Sequence, residues 1–181
     1  MNVFLDIVGS VILGALVILT FIQFMGEKQE SQLSADYQYI VQTAMRDVTE
    51  QMQYDLRKIG YRASGCPIVL CSDSAATFVY NADGIGASDT IKYWLGGSVD
   101  GTVNPSDRFL CRQVNNGTVH EFQSGVTELE FSYFTSSNEE TATPAYVRTI
   151  QVSITIQSPN PVDSLYPEIH NVFRVTPKNL R

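Results

Sequence analysis

Three cysteines, two histidines and one oxygen-rich run are the residues of this chain whose types could do chemistry. No spacing among Cys66, Cys71 and Cys111 resembles a zinc cluster, and His120 and His170 lie far from them and from each other. An odd cysteine count in an exported chain predicts one disulfide and one leftover thiol. Cys66 and Cys71 close a short loop around Pro67 and are the favoured pair; Cys71–Cys111 is the alternative, and a cytosolic chain would keep all three reduced. Between Asn81 and Asp89, oxygen atoms alternate at Asn81, Asp83 and Asp89, which are weak metal candidates. The run lacks the acidic density and closing Glu of a calcium loop, so a Gly-rich turn is expected and no metal. Asn116-Gly-Thr118 is formally a glycosylation sequon, though a hairpin turn accounts for it.

Catalysis needs side chains that converge, a nucleophile with its base or paired acids in a cleft. His120 sits beside Glu121 on a predicted strand, so the two side chains leave on opposite faces, and His170 follows Pro167. Ser and Thr are abundant but none occupies a nucleophile elbow. Nine tyrosines are spread along the chain; packing with a polar tip towards water explains them better than an electron path. The expectation is a protein without enzymatic activity and without a cofactor. A net charge of −7 with no basic block also argues against nucleic acid, which needs a clustered cationic face.

The elements that carry these residues divide sharply. From Ile7 to Gly26 twenty consecutive residues bear no charge, and as a helix they would span about 30 Å, the thickness of a bilayer's hydrocarbon core. The leading end has no Lys or Arg and no small-x-small site follows, so a retained anchor is expected rather than a cleaved signal. Gly9, Ser10, Gly14 and Ala15 set small residues on neighbouring turns, where helix backbones can approach closely. Asp6 at the edge of this stretch meets the positive end of the helix dipole. It could also pair with the terminal ammonium of an adjacent copy, so that two costly charges cancel in an apolar bundle.

Beyond Gly26 the pattern turns amphipathic. Tyr37, Ile40, Val41, Ala44, Val48, Met52, Leu56 and Ile59 recur at three- and four-residue steps. Glu27, Glu30, Asp36, Arg46, Asp47, Glu50, Asp55 and Lys58 fall mostly on the opposite face, and Gly60 ends the run after Lys58. One helix of roughly 55 residues, about 80 Å long, is predicted. From Ile68 onward short alternating runs are punctuated by Gly, Asn, Asp, Ser and Pro. Strands are expected at Thr77–Tyr80, Thr90–Leu95, Arg108–Val114, Val119–Phe122, Val126–Phe134, Val147–Gln157 and His170–Thr176, with a type I′ turn centred on Asn116-Gly117. The alternation in 147–157 needs a buried face, and the helix's apolar stripe supplies its partner: an α+β head with a mainly antiparallel sheet packed on the helix. The chain thus divides into an apolar helix (1–26), an amphipathic continuation (27–60) and a β-rich exported head (61–181).

This order of elements resembles the type IV pilin and pseudopilin superfamily, most closely its minor, PilW-type pilins and J-type pseudopilins. Met52–Arg62 with Cys66 close behind, Thr90–Leu95 followed by Leu110-Cys-Arg112, Gly125–Tyr133 and Val175–Arg181 carry the likeness, and no one of them is catalytic. The family's Phe-Thr-Leu-Ile-Glu start, its basic leader and its helix-breaking proline do not occur in these residues. If Met1 is removed, Asp6 takes the fifth position, where pilins carry a glutamate. The resemblance implies a filament subunit assembled through its N-terminal helix, with Asp6, Gly9 and Gly14 serving assembly. Its partners would be copies of itself or related pilins, and inner-membrane machinery driven by a separate ATPase. It would reside in the inner membrane before assembly and in an extracellular or periplasmic filament afterwards. A monomeric membrane-anchored receptor or adhesin is the competing reading.

Overall fold

A computed structural model describes residues 3–81, 84 and 86–180. No proline interrupts the first 66 residues, and a single helix α1 runs unbroken over Val3–Lys58, 56 residues and about 84 Å. It ends where expected. The Gly60 N–H donates to the Val79 carbonyl at 2.8 Å and the Asn179 amide caps the Ile59 carbonyl at 3.2 Å, so the last turn is tied to the head.

Seven strands follow: β1 (Ile68–Cys71), β2 (Ala75–Tyr80), β3 (Asp89–Ser98), β4 (Arg108–Val114), β5 (Val119–Phe134), β6 (Thr149–Gln157) and β7 (Glu168–Val175). They form one antiparallel meander in sequence order, and the sheet curls around α1. The expected α+β arrangement, a long N-terminal helix packed on an antiparallel sheet, is therefore what the chain adopts. The curl is fixed where the β1–β2 turn folds back on β5: the Phe131 N–H donates to the Asp73 carbonyl at 2.8 Å and the Tyr133 hydroxyl to the Ser72 carbonyl at 3.3 Å.

Three sequence expectations are corrected in detail. β1 was not among the expected strands; four residues are too few to display an alternation. The two runs flanking Gly125 are one strand, β5, bent where Gly125 takes φ +71°. A Cβ there would lie 2.3 Å from the Gln157 carbonyl oxygen, so only glycine fits. The β4–β5 hairpin turns one residue earlier than read: Asn115 and Asn116 take positive φ (52° and 56°), and the Gly117 N–H closes onto the Val114 carbonyl at 2.8 Å. Asparagine tolerates the left-handed region that a I′ turn demands at both central positions, so Asn-Asn serves in place of Asn-Gly.

The core lies between the second half of α1 and the concave face of the sheet. Val41, Met45, Val48, Met52, Leu56 and Ile59 form the helix's buried stripe, against Phe78, Ile91, Phe131, Val152 and Ile154 among others. Tyr37 and Ile40, read as part of the stripe, remain half-buried and exposed, because the sheet reaches down only as far as Val41. Asp55 reverses its expected orientation. Its carboxylate is fully buried and accepts from Tyr93 Oη at 2.6 Å, Arg112 Nε at 2.7 Å and Gln51 Nε2 at 3.1 Å. Tyr93 and Arg112 are register partners on β3 and β4, so one helix carboxylate clamps two strands. Burial, reinforced by the Asp55 charge, raises the Tyr93 phenol pKa, which keeps it a donor.

Candidate functional site: the uncovered apolar helix

The lower part of α1 has no cover from its own chain. Fifteen large apolar residues between Val3 and Met25 are exposed, each by 40–79%, and the stretch is long and apolar enough to cross a membrane. Each such side chain, if buried, is worth about 1.5–3 kcal/mol, so together they represent on the order of 20 kcal/mol or more. A typical domain's whole stability is roughly 5–15 kcal/mol. A candidate membrane anchor is the coarse conclusion.

Asp6 lies in the first turn of α1, exposed, at the positive end of the helix dipole. Its expected partner, the terminal ammonium of an adjacent copy, lies outside the described residues. A Cβ built on Gly9, Gly14 or Gly26 would meet nothing within 4 Å, so the chain's own fold does not require glycine there. Ser10 and Thr20 donate their hydroxyls to the carbonyls of Ile7 and Val17, at 2.8 and 2.9 Å, which removes the two hydroxyl donors from the apolar surface. From Val3 to Gly26 the described helix therefore presents hydrocarbon and small residues, with the Asp6 carboxylate and the Gln23 amide as its remaining polar side chains.

Cys66, Cys71 and Cys111 are free thiols in the structure, so neither expected bridge is formed. The alternative Cys71–Cys111 pairing is excluded by topology. Register runs Cys71↔Ala76, Ala76↔Tyr93, Tyr93↔Arg112, so three strand spacings, about 14 Å, separate the two cysteines. A disulfide needs Cα atoms within about 7 Å. Cys66 is exposed, and its thiol donates to the Ile68 carbonyl at 3.2 Å. The Cys71 thiol is pushed up to about 11 by burial and, secondarily, by Cys66 beside it.

The oxygen-rich run is occupied with its own turn. The Asn81 side-chain Oδ1 accepts from the Gly84 N–H at 2.7 Å, and Asp89 accepts from the Asn115 amide; Asp83 lies outside the described residues. No group of three His, Cys, Asp or Glu side chains that could hold a metal occurs among the described residues.

One polar row escaped the sequence reading. Glu128, Thr155 and His170 are register partners on β5, β6 and β7, and the Thr155 hydroxyl stands 3.0 Å from Glu128 Oε2 and 3.1 Å from His170 Nδ1. Acid, hydroxyl and imidazole thus meet: the Thr155 hydroxyl donates to Glu128, and the direction of its bond to His170 follows the imidazole's tautomer. The row acts as a cross-strand ladder. Only the pairing register brings these residues together; their separations in sequence, 27 and 15, carry no signal. Among the tyrosines, Tyr93 and Tyr133 are buried while Tyr39, Tyr54, Tyr61 and Tyr146 are exposed. The one close ring pair among the described residues is Phe78–Tyr93, at 6.2 Å. Compared with models of known protein families and with characterised proteins, the chain matches none.

Proposed function

We propose that this protein is a non-enzymatic structural subunit of a filament of the type IV pilus or type II secretion pseudopilus kind. The observation that carries the reading is the apolar half of α1, uncovered by its own chain yet continuous with a half locked into the head. In lipid the stretch is accommodated as an anchor; once drawn out, it is stable only against other apolar helices. Copies of this chain or related subunits provide those helices, with small residues at Gly9 and Gly14 permitting close approach and Asp6 setting register between neighbours. The head then faces outward. Inner-membrane machinery with its own ATPase drives the transfer, and the subunit ends in a periplasmic or extracellular fibre.

The test is to exchange Asp6 for Ala or Lys in the full chain, with membrane insertion followed by fractionation and fibres by electron microscopy. Insertion is expected to persist while fibres fall at least tenfold. Normal fibres from the variant would remove the role of Asp6. A wild type that inserts and never associates would reject the filament and favour the anchored receptor.

A further inference from the structure

The sheet has an open edge part-way along its course. β5 pairs with β4 over its first half and with β6 only from Val126 onward. Among the described residues, 119–124 therefore have a partner strand on one side alone. Successive side chains leave a strand on opposite faces, yet His120, Glu121, Phe122 and Gln123 are all exposed, so both faces are open as well. A groove separates this edge from α1. About 330 Å³ of it borders Phe122, Val48 and Met52, and about 360 Å³ borders Gln123, Ser124, Ala44 and Asp47. An open edge offers its N–H and C=O groups to another strand, and proteins commonly blunt it with proline or lysine. Residues 119–122, which are regular before the register shifts, hold neither.

A second open edge ends the sheet. Among the described residues β7 pairs with β6 alone, its outer-face residues Glu168, His170, Val172 and Arg174 are exposed, and a groove of about 380 Å³ lies between Ile169, Asn171 and α1. The edge at β1 is different: it is four residues long, packs against the Pro144–Tyr146 turn, and its hairpin is bonded to β5 through Ser72 and Asp73. The two open edges flank α1, since Asp47 and Thr49, which border the two grooves, point about 160° apart at 100° per residue. They also run in opposite senses. On β5, His120 pairs with Arg112, which reaches Asp55, while Ser124 borders Ala44, so the strand descends the helix. On β7, Glu168 lies opposite Gln157 near Val41, Asn171 meets Thr49 at 3.3 Å, and Asn179 beyond the strand reaches Ile59, so this strand ascends. Copies held in one membrane carry α1 in one direction. Side by side, they set β7 of one antiparallel to the first half of β5 in the next, at the same height on the two helices, and antiparallel pairing is the stronger ladder. Glu121, in the upper part of its edge, then falls nearer Arg174 than Glu168.

Resting on the filament reading, we propose that β7 of one copy adds as a strand to the first half of β5 in the next, joining the heads edge to edge. The joint uses two different surfaces of the subunit, so it repeats from copy to copy and does not stop at a dimer. The test uses the full chain in membranes and in fibres. In a background of Cys66→Ser, Cys71→Ser and Cys111→Ala, Glu121→Cys is combined in turn with His170→Cys, Val172→Cys and Arg174→Cys, all exposed positions on the outer face. At least one pair is expected to give, on oxidation, a ladder of disulfide-linked species longer than dimers, whereas either single cysteine gives dimers at most. Lys92→Cys with Val172→Cys, which sets one thiol on the exposed face of the mid-sheet strand β3, is expected to give no such ladder. No ladder from any of the three pairs, or an equal ladder from the Lys92 control, would overturn the joint while leaving the filament standing. Should the cysteine changes themselves prevent fibres, a charge exchange in the native background decides. Glu121→Lys is expected to cut fibres at least tenfold and Arg174→Glu added to it to restore a measurable fraction, and fibres at wild-type level from Glu121→Lys would overturn the joint. Absence of fibres from the wild type would overturn both readings.

Discussion

Replacing Asp55 by Ala tests the claim that one buried carboxylate holds the helix to the sheet. The wild-type side chain has no solvent exposure and accepts from Tyr93, Arg112 and Gln51 at 2.6, 2.7 and 3.1 Å. Its removal leaves the Tyr93 phenol buried without an acceptor, which costs about 1–3 kcal/mol. It also leaves the Arg112 guanidinium, 18% exposed, without its partner. Breaking a buried pair from one side typically costs about 3–5 kcal/mol, and the residual exposure of Arg112 argues for about 3–4 in total. For a chain of this size each kcal/mol moves the midpoint by about 2–4 °C, so a fall of roughly 10 °C is expected. Thermal unfolding of the full chain in detergent, followed by near-ultraviolet circular dichroism, provides the assay. Asp55→Ala combined with Arg112→Met should be less destabilised than the two single losses summed, because the second change removes the stranded charge. A loss under 2 °C for Asp55→Ala, or strict additivity of the pair, would refute the clamp.

Three further outcomes are expected. Gly125→Ala must place a methyl 2.3 Å from the Gln157 carbonyl at φ +71°, so it should cost about 2 kcal/mol or more, visible as a lowered urea midpoint. Burial raises the Asp107 carboxyl pKa above 3.8, despite the Thr102 and Arg108 donors. The folded subunit therefore holds that proton more tightly than the unfolded chain. This contribution to stability is present below 3.8 and lost as pH rises through the raised value. Asp107→Asn should accordingly gain on the wild type as unassembled subunits move from acid to neutral pH, read by paired urea titrations. Alkylation by iodoacetamide at about pH 8 should modify the exposed Cys66 first; Cys71, with its pKa near 11, should lag by more than tenfold, and the buried Cys111 should react only on unfolding. Equal rates at Cys66 and Cys71 would contradict the burial of the latter.

Much of the architecture was legible because it depends on local pattern. An uninterrupted apolar run, a proline-free continuation with three- and four-residue steps, and Gly60 at its end specify one long helix whatever surrounds it. Alternation in β6 specifies a strand with one buried face. Register and partner choice were not legible. Asp55 reads as a solvent-facing acid at helical spacing, and only the approach of β3 and β4 makes it the clamp. The separation of Cys71 from Cys111 follows from strand order, which no spacing encodes. Pairing across β5, β6 and β7 assembles Glu128, Thr155 and His170, and loop closure leaves Asp107 with an idle oxygen. The sequence by itself determined which segments are helix and strand and which stretch water cannot solvate cheaply, since both follow from residue types at short range. Tertiary structure decided which polar groups meet, because those contacts join residues tens of positions apart through a fold that short-range pattern does not specify.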